Sequence, residues 1–385
     1  MRCSLLLTAL LLLLASPARA TPSFRDIIQP HLDTHAIAGA VTLVADREGI
    51  LAIEAFGLAD RATGKAMTTD AMFWIASQTK PMTATAFMML VDEGKVKVDD
   101  PVENYLPEFK GQMVIVEQDP QHMLLKAPGR PLAVRDVLSH TGGLRYSSPL
   151  EQPTLDRLRL ADAVRSHALQ PLLWEPGSKY LYSSAGINIA GRIIEVVTGM
   201  PYEDFMRTRL FEPLEMKDTT FHPTMAQVQR LATAYGPNAD KSDIEETTTD
   251  LLSYPLTDPL RQPIPGGGLF STATDLARFY RMILNQGELD GRRYLTAESV
   301  RKMTSKQTGD AIEDGYGFGW MTKDGAFGHS GSLNTQSSID TATGLLTVLL
   351  VQQKRFIANG TNLKGDFKRA AKARFAGPPA PPPNR

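Results

Sequence analysis

Ser77 and Lys80 are the residues of this chain whose types and spacing most directly suggest chemistry. Residues three apart on a helix share a face, with Cβ atoms about 5–6 Å apart, so Lys80 can reach the Ser77 hydroxyl. A serine hydroxyl is a poor nucleophile at neutral pH and needs a neighbouring base. A lysine withdrawn from water can serve, because burial disfavours its ammonium form. A helix N-terminus adds unpaired N–H groups and roughly half a positive charge where negative charge would develop on oxygen. From Met82 to Val91 the sequence is Met-Thr-Ala-Thr-Ala-Phe-Met-Met-Leu-Val, apolar nearly all round, which places that helix in the core. Asp92, Glu93 and Gly94 supply a polar end and a glycine stop. Pro81 lacks an N–H and is expected to distort the first turn. Alone, Ser-x-x-Lys also fits an N-cap serine followed by a solvated lysine.

Two further segments argue against that plainer reading. Tyr180-Leu-Tyr182-Ser-Ser184 precedes a helix starting near Ala185, and Gly328-His329-Ser330-Gly331-Ser332 precedes the late strands. In this order and company the sequence resembles the serine β-lactamase and penicillin-binding-protein superfamily, especially its class C-like branch with the related DD-peptidases and carboxylesterases. That family carries Ser-x-x-Lys, Tyr-x-Asn and Lys/His-x-Gly in turn; here they correspond to Ser77–Lys80, Tyr182–Ser184 and His329–Gly331. The resemblance extends through Asp99-Asp-Pro101, Leu138-Ser-His-Thr-Gly-Gly-Leu144, Gly266-Gly-Gly-Leu-Phe-Ser-Thr272 and Gly315-Tyr-Gly-Phe-Gly-Trp320.

The resemblance implies that Ser77 attacks the substrate carbonyl while Lys80 and Tyr182 share the proton work. It also implies an oxyanion hole of the Ser77 and Ser332 N–H groups, with Ser184, His329, Ser330 and Gly331 binding substrate. Free phenol and ammonium groups both titrate near about pH 10, so Tyr182 and Lys80 must tune each other, and the sequence leaves open which takes the proton first. Ser184 replaces the family's asparagine and could instead cap the following helix; Tyr182 could be a packed core tyrosine and His329 an ordinary strand residue. His140-Thr141-Gly142 also matches His-x-Gly, but it lies ahead of Tyr182 at a helix end and reads as structural.

Both departures from the family pattern lean toward uncharged esters. Ser184 offers one hydroxyl where the asparagine binds an acylamido group, and a histidine is mostly neutral above about pH 7 where the family's lysine binds a carboxylate. A carboxylesterase on short acyl esters is therefore expected; the alternatives are a β-lactamase or DD-peptidase on β-lactams or D-alanyl peptides, and a non-catalytic binding protein. An α/β-hydrolase is disfavoured because Gly328–Ser332 misses Gly-x-Ser-x-Gly at its last position and lacks a strand-to-helix context; Ser-Asp-Asn and Lys-Thr-Gly, expected of class A enzymes, do not occur. The seven histidines show no metal-ligand spacing, and neither metal nor organic cofactor is implied.

The elements that must position these residues read as α+β: an antiparallel sheet flanked by helices, built from both chain ends, with a mostly helical subdomain inserted. Strands are expected at 39–45 and 51–56, joined by a turn at 47–49, and at 317–321, 336–340 and 345–351. Helices are expected at 24–34, 134–139, 161–168, 187–198, 202–211 and 273–285, with a hairpin of 113–116 and 123–126. The catalytic domain would span 21–376, its α/β part about 21–80 and 265–376 and its helical part about 81–264, with a cleft between them.

Residues 1–20 carry Arg2, an apolar run from Leu5 to Leu14 and Ala18-Arg-Ala20, which read as a secretory signal cleaved before Thr21. A periplasmic or secreted protein is expected. The only cysteine, Cys3, would leave with that segment. No later apolar stretch is long enough for a transmembrane anchor, and 377–385 reads as a disordered proline-rich tail. With 41 Lys and Arg against 42 Asp and Glu, there is no basic footprint for nucleic acid; the expected partner is a small-molecule ester, a β-lactam or a cell-wall peptide.

Overall fold

Apolar runs with β-branched residues at the two chain ends build one seven-stranded antiparallel sheet. The computed structural model describes residues 23–249, 251–313, 315–356 and 362–376; the expected signal segment and proline-rich tail lie outside them. The strands are β1 (Gly39–Ala45), β2 (Ile50–Asp60), β3 (Lys65–Ala66), β4 (Met321–Lys323), β5 (Ala326–Ser330), β6 (Gln336–Asp340) and β7 (Leu346–Leu350). Their order is β4-β5-β6-β7-β1-β2-β3, so the two ends of the chain meet where β1 pairs with β7, Val41 opposite Leu350.

Successive side chains on a strand point to opposite faces, and both faces of this sheet are covered. Val41 and Leu43 of β1 join the main core, while Ala40 and Val44 pack with Phe24 and Ile28 of α1 (Phe24–Asp33) and with Phe367 and Ala371 of the C-terminal helix Leu363–Phe375. The main core holds α2 (Thr79–Asp92), whose residues Thr79 to Leu90 are all buried, as its apolar circumference predicts. Against it lie the helices α3 (Val134–Leu138), α4 (Leu160–Ala168) and α5 (Ser184–Thr198) of the inserted region, and α6 (Ala273–Leu284). Among the described residues, no helix is long and apolar enough to cross a membrane.

The structure corrects three local expectations. Ser77 does not open the α-helix: it lies in a 3₁₀ turn, Ala76–Gln78, and α2 begins at Thr79. Pro81 sits within the first turn of α2, where a missing N–H costs nothing because that donor has no intrahelical acceptor. The strand expected at 317–321 is irregular up to Trp320. Gly319 is left-handed (φ 76°), and a Cβ on Gly317 would lie 1.9 Å from the Met303 carbonyl oxygen; these glycines serve close backbone approach, which breaks the strand. The strand next to it is β5, which contains His329.

Candidate active site

Three backbone segments converge around the 3₁₀ turn that carries Ser77. Ala76 just before it has φ 47°, a left-handed conformation that a Cβ disfavours, and the turn is held from several sides. Thr79 Oγ1 donates to the Ala76 carbonyl at 2.7 Å and accepts from Leu269 N–H at 3.2 Å. Ser337 Oγ of β6 donates to Gln78 Oε1 at 2.6 Å. Gly331, at the end of β5, is a glycine for steric reasons: a Cβ there would lie 2.3 Å from the Ile75 carbonyl oxygen. That close approach brings Ser332 to the wall of the cleft that Ser77 also lines. Among the described backbone hydrogen bonds, none engages the N–H of Ser77 or of Ser332, so both donors are free to meet an oxyanion.

Lys80, one turn along, is wholly buried. Its Nζ lies 3.3 Å from Ser77 Oγ, 3.3 Å from Ser184 Oγ and 2.5 Å from the Gly266 carbonyl oxygen. Burial pulls its pKa from 10.5 down to about 7. Nζ donates to the Gly266 carbonyl, to Ser184 Oγ and to Ser77 Oγ; when burial leaves the amine neutral, one of these contacts, that with the Ser77 hydroxyl, can become the one in which the nitrogen accepts the proton. The carbonyl reaches Lys80 because residue 266 is glycine; a Cβ there would lie 2.9 Å from Ser184 Cβ. Asn188 of α5 fixes this loop by accepting from Gly266 N–H at 3.0 Å.

Tyr182 stands ahead of α5 with its ring centroid 4.7 Å from Lys80 Nζ. Burial raises its pKa above that of an ordinary phenol, and a hydrogen bond with Ser77 only partly opposes this. The site thus separates its two groups of similar intrinsic pKa, favouring a neutral amine and a neutral phenol together.

Several residues expected from sequence stand elsewhere than expected. Ser184 is not the helix cap; that is Ser183, whose Oγ accepts from Ala185 N–H at 3.0 Å, and Ser184 instead lines the cleft and meets Lys80. His329 does not present its ring as a substrate donor. It is buried, its Nδ1 is 2.8 Å from the Ser330 carbonyl oxygen and its Nε2 is 2.9 Å from Tyr316 Oη. A carbonyl only accepts, so Nδ1 carries the proton and Nε2 accepts from Tyr316. Burial, reinforced by Lys80, lowers the His329 pKa to about 3, leaving a neutral ring with no free N–H. Ser330 points to the other face of the sheet, where its Oγ accepts from Gln336 Nε2 at 3.2 Å. Gly331 acts through its lack of a side chain.

Two residues that sequence reasoning did not assign to the site form its back wall. His140, in a segment that reads from sequence as structural, is buried with φ 61°; its ring centroid is 4.8 Å from that of Tyr182 and 4.5 Å from that of Tyr316. Tyr316 links His140 to His329. The signal for Tyr316 was the glycine-flanked aromatic run 315–320, while His140 had none beyond its match to His-x-Gly.

The cleft itself is narrow, with about 30 Å³ of free space, and is walled by Trp74, Tyr146, Leu155, Leu251 and Ile264 beside the three serines 77, 184 and 332. Among the described residues, no charged side chain lines it. The arrangement can carry out acyl transfer: a hydroxyl beside a neutral amine, two unengaged N–H groups for an oxyanion, and a neutral phenol as proton donor.

Comparison with known proteins gives the family. Residues 24–364 match the family described as Beta-lactamase. Penicillin-binding protein 4 of Amycolatopsis lactamdurans is 32% identical over 330 residues, covering 82% of this chain and 81% of that one. Esterase EstB of Burkholderia gladioli is 30% identical over 316 residues, 74% of this chain and 75% of that one. Among solved structures, EstCE1, a hydrolase with promiscuous acyltransferase activity, superposes with TM-score 0.75 at 24% identity, covering 90% of this chain and 97% of that one; at that identity the likeness shows the fold.

Proposed function

The chain belongs to the Beta-lactamase family and is a serine hydrolase; from that premise we propose an exported carboxylesterase that hydrolyses short acyl esters through an acyl-enzyme on Ser77. Ser77 Oγ attacks the ester carbonyl as its proton passes to the neutral Lys80 amine. The oxyanion is received by the N–H groups of Ser77 and Ser332. The ester C–O bond then breaks as the alcohol oxygen takes a proton from Tyr182, which is resupplied by the Lys80 ammonium. Water attacks the acyl carbonyl by the same route in reverse, gives up its proton through the Lys80–Tyr182 pair, and releases the acid and free Ser77. Ser184 holds Lys80 in place, and His329 with Tyr316 backs the Tyr182 ring. Export rests on the signal-like segment 1–20.

The observation that carries the ester reading is His329. β-Lactams and D-alanyl peptides bear a carboxylate; here the residue that matches the family's carboxylate-binding lysine is a buried neutral ring whose two nitrogens are engaged, and among the described residues no charged side chain lines the cleft. A relative named as an esterase, EstB, is consistent with it. The other reading, turnover of β-lactams or D-alanyl peptides, draws on the penicillin-binding relative. The test is kcat/KM of the protein lacking residues 1–20 on p-nitrophenyl butyrate and on nitrocefin, with Ser77→Ala as blank. An ester preference of about 100-fold, equivalent to about 2.7 kcal/mol in transition-state binding, is expected. Equal or greater nitrocefin turnover would overturn the esterase assignment.

A further inference from the structure

Acyl transfer at Ser77 fixes a direction for each substituent of the carbonyl carbon. The oxyanion points to the N–H groups of Ser77 and Ser332, and the departing alcohol must stand at Tyr182, which gives it a proton. The acyl chain takes the direction that is left. The narrow cleft opens there: Ser77, Ser184 and Ser332 line it, and Tyr182 does not. Its walls include Trp74, Tyr146, Leu155, Leu251, Leu252 and Ile264, an apolar surface suited to a hydrocarbon chain.

The cleft is also short. Its free space of about 30 Å³ compares with about 10–15 Å³ needed by one water, which leaves room for two or three heavy atoms of an acyl chain. Trp74 and Leu252 line this cleft and also line a second cavity of about 390 Å³ on their other side. One layer of side chains therefore divides the two spaces. Trp74 is tied to the loop that positions Lys80, its Nε1–H donating to the Gly267 carbonyl at 2.8 Å. The Leu252 side chain is held by packing alone, buried with Trp74, Leu256, Ile264 and Phe270 in one apolar cluster.

We propose that Leu252 sets the acyl-chain length of this enzyme: it is the stop at the end of the acyl cleft, and trimming its side chain joins the cleft to the cavity behind it. The inference rests on the ester-hydrolase reading and goes beyond it by naming the residue that keeps the acyl group short. Leu256 and Phe270 line the cavity and pack in the same cluster as Leu252, so they give a longer chain an apolar surface beside the opening. Leu251, the preceding residue, lines the cleft but not the cavity; trimming it widens the cleft without opening that path.

The test is kcat/KM of the full chain on p-nitrophenyl acetate, butyrate, hexanoate and octanoate. Wild type should lose about tenfold or more from butyrate to hexanoate, the usual scale of a methylene misfit in an apolar pocket. Leu252→Ala should remove that fall and raise the octanoate-to-butyrate ratio about tenfold or more over wild type, whereas Leu251→Ala should leave octanoate excluded. Ala234→Phe, which fills the cavity, should restore the fall when added to Leu252→Ala. If Leu252→Ala does not melt cooperatively, Leu252→Val serves, and should relieve hexanoate but not octanoate. Wild type that turns over octanoate as well as butyrate, a Leu252 variant with the wild-type profile, or a gain on octanoate that Leu251→Ala shares or that survives Ala234→Phe would overturn the inference with ester turnover intact. Ester turnover absent from wild type and every variant would instead overturn the esterase reading, and this inference with it.

Discussion

Replacing Lys80 with methionine should alter stability by an amount that depends on pH, and the size of that dependence follows from the burial of the amine. In the folded protein Lys80 titrates at about 7, against 10.5 for an unperturbed lysine. Between these values the unfolded chain holds a proton that the folded chain does not, so stability rises with pH across that window. Below about pH 7 both states are protonated and the full cost of the buried ammonium is present; above about pH 10.5 it is absent. The displacement corresponds to about 5 kcal/mol between the two ends, undiminished by solvent because the side chain is wholly buried. Methionine cannot titrate, and every other group is common to both proteins. Wild type should therefore gain about 2.5 kcal/mol on Lys80→Met between about pH 7.5 and 9.5. Urea melts of both proteins at the two pH values measure this directly, and the constant loss of the Gly266, Ser184 and Ser77 contacts cancels in the comparison. Two stability curves that stay parallel across the window would refute a depressed Lys80 and with it the neutral amine as base.

The same titration should appear in catalysis: kcat/KM on a neutral ester should rise with pH through about 7 and stay level to about pH 9, since His329 titrates at about 3 and Tyr182 above the ordinary phenol range. An acid limb at about pH 5 or below would contradict it. Gly331→Ala should displace Ser332 from Ser77, because its Cβ meets the Ile75 carbonyl at 2.3 Å; a loss of about 10²–10³ in kcat with a near-native melt is expected, read by ester turnover and circular dichroism. Arg261→Met should be among the most destabilising single changes. Its partner Asp156, 2.8 Å away and fully buried, would keep its charge without its main counter-ion, at about 3–5 kcal/mol, measured by chemical denaturation.

The parts of the site that could be read from sequence are those set by local spacing or by motif order. Lys80 meets Ser77 because three residues make about one helical turn, and the apolar run behind them buries both neighbours of the turn. Tyr182 came only through its place in the motif order, since 102 residues separate it from Lys80 and no local pattern links them. The inward turn of His329 was hidden because Gly328 and Gly331 flank it and the segment shows no apolar alternation to mark a strand, let alone a face. A one-residue difference separates Ser183, the cap, from Ser184, the lysine contact, and adjacent serines give capping preference nothing to distinguish. His140 reaches Tyr182 through tertiary packing that its place at a helix end does not register. The sheet was legible at β1 and β7, whose apolar runs face helices on both sides, but not between 315 and 330, where glycines serve close packing.

Trapping the covalent intermediate tests the central claim most directly. Protein mixed with p-nitrophenyl butyrate, quenched in acid during turnover and digested, should carry one butyryl group on the peptide containing Ser77, and Ser77→Ala should carry none and turn over no ester. A butyryl group mapped to Ser330, or ester turnover that survives Ser77→Ala, would contradict the account.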